Sequence, residues 1–149
     1  MKTKKRTYYK KATAATTPRS TTKDKVNSAV SIDLFGCDKD RAGDLEILRS
    51  ICRTVVQLLH CTEQKCLAFY REKSENTPVG GVTVFVGMKE GNISMYADTT
   101  TRRISFDIVL FAPGKLQPAV AYIVNQFIFS SKRIAYNDRT EEAVPNDSD

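Results

Sequence analysis

Two sets of residues in this 149-residue chain are equipped for chemistry by type and spacing, and a third stretch sets a carboxylate in a turn. Lys4, Lys5, Arg6, Lys10 and Lys11 enclose Tyr8 and Tyr9. Cations at that density neutralise phosphates and release counterions, while tyrosine rings stack on unpaired bases, so the segment is a candidate polyanion-binding site. A targeting signal and a plain solubilising tail account for the same composition. Cys37, Cys52, His60, Cys61 and Cys66 offer either metal ligands or disulfides. The spacing of His60-Cys61 and Cys66 is not that of a zinc finger and His60 is the only histidine, so no metal site is assigned. An ample apolar pattern without a secretion signal points to reduced, mostly buried thiols. The third stretch is Gly87-Met88-Lys89-Glu90-Gly91-Asn92, a turn between two apolar strand patterns. Gly91-Asn92 is also what an ordinary tight hairpin wants, because both residues tolerate positive φ.

The length suits one domain with a real core. The formal charge of +6 is unevenly distributed: residues 1–27 hold nine Lys/Arg against Asp24 alone, leaving 14 basic and 16 acidic residues for the rest. Residues 1–27 contain no Leu, Ile or Phe and cannot bury enough apolar surface to offset ordering, so they read as a disordered basic arm. Residues 28–136 read as the folded domain, and 137–149 as an acidic mobile tail. No apolar run reaches the ~18–20 residues needed to span a bilayer, and no signal peptide is evident. The expected setting is intracellular and soluble, without a membrane partner, and nuclear or organellar targeting by the arm stays open.

Within the domain, Val30, Ile32 and Leu34 alternate with Ser31, Asp33 and Phe35, which predicts a strand ending at Gly36. Asp38 or Asp40 is placed to cap a helix. Leu45, Leu48, Cys52, Val55 and Leu59 follow helical spacing, with Ile47, Ile51, Val56 and Leu58 widening the stripe, and predict a helix from Asp44 to His60. Strands follow at Cys66–Arg71, Val79–Val86, Asn92–Ala97 and Arg103–Phe111. Pro118 opens a second helix running to about Ser130, and Lys132–Tyr136 closes with a strand. The order βαββββαβ is that of an α+β two-layer sandwich, a mostly antiparallel sheet with two helices on one face. Arg103–Phe111 has apolar residues on both faces, Ile108 and Leu110 on one and Val109 and Phe111 on the other, consistent with a sheet buried on both sides.

From Val30 to Tyr136 the chain resembles the small bacterial and archaeal S-adenosylmethionine decarboxylases. The likeness rests on Ser31-Ile32-Asp33-Leu34-Phe35-Gly36-Cys37-Asp38, Val79-Gly80-Gly81-Val82-Thr83-Val84, Ile104-Ser105-Phe106-Asp107-Ile108-Val109, and the run from Gln117-Pro118 to Lys132-Arg133-Ile134, all in the family's order. The resemblance implies the same sandwich and a homodimer. Those enzymes cleave their own chain at a Glu-Ser bond, and the serine becomes a covalent pyruvoyl group. On the matching positions Glu90 stays, Gly91 replaces the serine and Asn92 the following histidine. The histidine that assists processing falls on Tyr96 and the catalytic cysteine on Phe111. The family's Thr-Trp-Pro-Glu stretch becomes Ala97-Asp98-Thr99-Thr100, and its His-x-Phe-x-Pro pattern has no counterpart around Tyr70 to Pro78. Gly87–Lys89 reads as an insertion that lengthens the turn. Ser94 is a nearby hydroxyl, displaced from the cleavage position, and reads as a strand residue.

Without an oxygen nucleophile at Gly91 no ester forms and no pyruvoyl electron sink follows. Phe111 has no proton to give. The expected function is therefore that of a non-catalytic homologue, a protein-interaction, regulatory or structural subunit without a pyruvoyl cofactor, acting as a homodimer or a hetero-oligomer. A divergent decarboxylase of polyamine biosynthesis, or a nucleic-acid-associated structural protein whose arm is the active part, are the alternatives.

Overall fold

Alternation of Val30, Ile32 and Leu34 with Ser31, Asp33 and Phe35 builds β1 (Asn27–Phe35), with the three aliphatic residues buried. The computed structural model of the chain describes residues 27–72, 75–76 and 80–137; the basic-arm residues 1–26 and the tail from 138 lie outside the described residues. Gly36 ends β1 with φ +67°, and a Cβ there would lie 2.9 Å from the Ser130 Cβ, so the turn needs glycine. Asp38 caps a short helix, α1 (Lys39–Ala42), by accepting the Asp40 N–H at 3.2 Å.

Asp44 caps the main helix, α2 (Leu45–Leu58), accepting the Glu46 and Ile47 N–H groups, each at 3.1 Å. Leu45, Leu48, Ile51, Cys52, Val55 and Val56 form its buried stripe, the 3.6-residue period expected from sequence. The helix stops two residues before His60. His60 takes φ 55° and donates its N–H to the Gln57 carbonyl, while the Cys61 N–H reaches back to the Val56 carbonyl at 3.1 Å. This pair of bonds is the Schellman closure, usually given to glycine.

The four strands β2 (Glu63–Arg71), β3 (Gly81–Met88), β4 (Gly91–Asp98) and β5 (Arg103–Gly114) form an antiparallel meander. β1 then pairs antiparallel with β5 on one side and with β6 (Ser131–Asn137) on the other. The six-stranded sheet has the order β2-β3-β4-β5-β1-β6. Its inner face carries Val82, Val84, Val86, Ile93, Met95, Ile104, Phe106 and Ile108, all buried beneath α2 and α3 (Gln117–Asn125) in one core. The architecture is the α+β two-layer sandwich expected from the sequence, with α1 as an addition.

α3 ends five residues short of the expected Ser130. The apolar spacing continues through Phe127 and Ile128, but other bonds take over. The Phe127 ring turns to Phe106 at a centroid distance of 6.2 Å, the Ile128 carbonyl accepts the Asp38 N–H at 3.2 Å, and the Ser130 N–H donates to the Phe35 carbonyl at 2.8 Å. Phe127 is buried from a non-helical segment, and Ile128 points to solvent. Asn137 belongs to β6, one residue beyond the expected end of the domain. Among the described residues no helix is long and apolar enough to cross a membrane.

Candidate functional site at the β3–β4 hairpin

The turn expected over Gly87–Asn92 is far tighter than the sequence suggests. Gly87 pairs with Asn92 and Met88 with Gly91, so only Lys89 and Glu90 remain outside the ladder. Of the residues read as an insertion, Gly87 and Met88 lengthen β3 and Lys89 takes one of the two turn positions, because Val86, Met88 and Ile93 gain burial by continuing the sheet. The tip is tied down on both sides. The Lys89 N–H donates to the Thr62 carbonyl at 3.0 Å, the Thr62 N–H donates to the Glu90 carboxylate at 2.8 Å, and the Phe111 N–H donates to the Glu90 carbonyl at 2.8 Å. Glu90 therefore braces the hairpin against the start of β2 and the far end of β5. The Thr62 amide holds its carboxyl below the ordinary glutamate range, with the Thr62 and Cys61 side chains assisting.

Gly91 is buried where β4 lies against β5. A Cβ at this position would fall onto the Val109 carbonyl oxygen and lie 2.9 Å from the Leu110 Cα, both backbone atoms that cannot swing aside. The position therefore lacks the hydroxyl that self-processing needs, and it also lacks the space for any side chain. Gly91 does not fit a serine-derived pyruvoyl group. The Gly91-Asn92 pair is not in the turn, because both residues are in β4, although Gly91 does take a positive φ of +159° there.

Phe111 lies beside the tip and is 78% exposed on the outer face of the sheet. Tyr96 is on the same face, paired with Ser105 and Thr83, and 45% exposed. It lies five positions along β4 from Gly91, roughly 17 Å at the usual rise. Within one chain Glu90, Gly91 and Phe111 come together while Tyr96 does not. Tyr96 instead neighbours Arg71, whose guanidinium carbon is 5.9 Å from its ring centroid and whose Nη2 donates to the Ala97 carbonyl at 2.6 Å. Ser94 is a β4 residue opposite Phe85 and Asp107, two strand positions short of Tyr96.

The outer face also carries a polar network that the sequence reading missed. Ser31 donates to Asp107 at 2.7 Å, and Ser105 donates to Asp33 at 2.6 Å. The two are reciprocal cross-strand pairs made by two Ser-x-Asp tripeptides, a signal visible in the sequence as Ser31-Ile32-Asp33 and Ser105-Phe106-Asp107. Arg103 adds a 2.8 Å ion pair to Asp33. Burial works to raise the Asp33 carboxyl, but bonds from Ser105 and Arg103 prevail and hold it below its usual range.

All four cysteines are free, Cys37 and Cys52 buried and Cys61 and Cys66 half-buried. Burial pushes the Cys37 thiol up to about 11 and the Cys52 thiol up to about 12. His60 is an exposed helix-closing residue, and among the described residues no three His, Cys, Asp or Glu side chains gather as a metal site would require. Lys4, Lys5, Arg6, Tyr8, Tyr9, Lys10 and Lys11 lie outside the described residues.

A model of the S-adenosylmethionine decarboxylase family matches residues 28–140. The fold is similar to the crystal structure of the adenosylmethionine decarboxylase from Aquifex aeolicus VF5, with a TM-score of 0.58 and 20% identity, covering 79% of this chain and 97% of that one. No curated protein sequence matches.

Proposed function

The chain belongs to the S-adenosylmethionine decarboxylase family, and on that premise we propose that it is a non-catalytic member working as a protein-interaction, regulatory or structural subunit. One observation carries the reading. Where the resemblance places the self-processing serine, Gly91 has neither a hydroxyl nor room for a Cβ against the β5 backbone. Without a nucleophile there is no ester intermediate, and the electron sink that decarboxylation needs is never made. Glu90, the other half of the former Glu-Ser pair, serves as a brace for the hairpin. Phe111, at the position of the catalytic cysteine, offers a bare ring to solvent.

On this reading the sheet's outer face is put to use in assembly, as a homodimer or with a related chain. Mass spectrometry of the purified protein tests it: the expected result is an intact chain with no pyruvoyl-terminated fragment, and no release of carbon dioxide from S-adenosylmethionine, ornithine or arginine. A cleaved chain overturns the reading, and carbon dioxide release would favour a decarboxylase of altered mechanism. The basic arm is assigned separately to a polyanion, on the strength of its nine cations and paired tyrosines. Removing residues 1–26, which stops short of β1, should abolish binding to single-stranded nucleic acid in moderate salt. Unchanged binding removes that role.

A further inference from the structure

Cys52 and Cys66 stand on facing surfaces of the helix–sheet interface, and neither takes part in the hairpin site. In β2, Cys66 pairs with Val86, which is buried under the helices, so Cys66 shares that inner face. Its side chain is half-buried and packs against the core at the margin of the sheet, on an edge strand. Cys52 belongs to the buried stripe of α2 and has no solvent exposure. The two elements run side by side at this level. Arg53, the next residue of α2, holds Glu63 of β2 at 3.0 Å, and Glu63 pairs with buried Met88 on the same inner face. The chain turns back on itself between Leu58 and Glu63, so a step forward along β2 is matched by a step backward along α2. That path brings Cys52 over Cys66. The Cys52 thiol senses this neighbour: burial, and then the charge of a Cys66 thiolate, push it up to about 12.

We propose that Cys66 and Cys52 form a peroxide-responsive dithiol, in which Cys66 is oxidised first and Cys52 resolves it as a disulfide. The oxidant is hydrogen peroxide or an organic hydroperoxide. With hydrogen peroxide, the Cys66 sulfur attacks one peroxide oxygen, the O–O bond breaks, and Cys66 becomes a sulfenic acid as water leaves. The Cys52 sulfur then attacks the Cys66 sulfur, the S–O bond breaks, and the hydroxyl departs with the Cys52 proton as a second water. Two thiols have lost two hydrogens and two electrons, and the peroxide has been reduced to two waters. The order of events follows from access, because an oxidant in solvent reaches half-buried Cys66 and does not reach Cys52. Cys61 is the competing partner by sequence, but its thiol is turned to the Leu59 carbonyl at 3.5 Å and to the Glu90 carboxylate. Cys37 follows β1, which three strands separate from β2. The link closes the chain around Cys61 and Thr62, the residues that hold Glu90, so oxidation fastens the corner that braces the hairpin. The dithiol does not depend on whether catalysis is lost.

Hydrogen peroxide treatment of the full chain, followed by thiol capping and tryptic mass mapping, tests it. Cleavage after Lys and Arg puts Cys52 in Ser50–Arg53, Cys61 in Thr54–Lys65 and Cys66 in Cys66–Arg71, so each link is read without ambiguity. The expected product is Ser50–Arg53 joined to Cys66–Arg71, lighter by two hydrogens than the two free peptides together and separated again by dithiothreitol. Dimedone, which traps sulfenic acids, should label Cys66 early in the wild type and persistently in Cys52→Ala. Cys66→Ser alters only a half-buried position at the sheet margin, and it should lower oxidation of Cys52 at least about tenfold. A Cys61–Cys66 link, a Cys66–Cys66 link between two chains, or Cys66 carried to sulfinic acid without joining Cys52 overturns the inference. So does Cys52 oxidised as readily in Cys66→Ser as in the wild type, or a native chain that peroxide leaves fully reduced. None of these outcomes bears on whether the chain is cleaved at Glu90-Gly91, so the two readings fail separately.

Discussion

A serine at position 91 would return a hydroxyl without returning a site. Its Cβ would meet the β5 backbone at Val109 and Leu110, so Gly91→Ser should cost about 1–3 kcal/mol in urea unfolding and leave the chain uncleaved by mass. Glu90 makes a different prediction. It titrates below its ordinary range because it accepts the Thr62 amide, and Asp98 does so because bonds from Thr101 and Thr100 outweigh the effect of its burial. Asp33 behaves alike. Unfolded carboxyls titrate near about 4, so the folded chain binds fewer protons there. The stability these groups supply is full above about pH 4 and fades as pH falls through their depressed folded values. Glu90→Gln should flatten the acid limb of a stability-against-pH curve, and an unchanged slope would show the brace to be idle. The thiols have the opposite sign: raised to about 11 and about 12, Cys37 and Cys52 stay protonated when folded, so alkylation at pH 8 should spare them until urea is added.

Phe127 tests how α3 is anchored at the level of the element. It is buried from the segment after the helix, with its ring 6.2 Å from Phe106, and Phe127→Ala should destabilise by about 3–5 kcal/mol in urea, far more than truncating the exposed Ile128. That segment also shows where the sequence stops being legible. The spacing Val120, Ile123, Val124, Phe127, Ile128 is helical to the end, and nothing local announces that Ile128 and Ser130 will bond Asp38 and Phe35 instead. Long-range bonds ended the helix, and a periodic pattern does not contain them. The alternating strands were readable because each has one buried face, as in Ile104, Phe106 and Ile108. The hairpin was misjudged for the converse reason: Gly87, Gly91 and Asn92 are turn-formers by type, yet here they are ladder residues. At the hairpin, the sequence shows that position 91 is a glycine and carries no hydroxyl. That the position has no room for one, and that Glu90 holds Thr62, depend on strands distant in sequence.

Across the whole molecule, charge and surface are divided between regions. Residues 1–27 carry nine cations against one anion, and the remainder has 14 against 16. A chain lacking residues 1–26 should therefore lose both its affinity for single-stranded nucleic acid and the negative salt slope of that affinity, measured by fluorescence anisotropy. A surviving slope would locate the polyanion contact in the folded domain. The paired Ser-x-Asp tripeptides bear on a different problem, how a strand finds its place. No short turn connects β1 to β5, and the bonded residues are 76 and 72 positions apart in sequence. The apolar alternation that buries Ile32 and Phe106 is indifferent to a slide of two residues, which keeps every greasy side chain facing inward. The solvent-facing pairs are not indifferent. A slide one way brings Asp33 opposite Asp107, and a slide the other way breaks both serine bonds. The wet side of this sheet thus proofreads an alignment that the dry side leaves ambiguous.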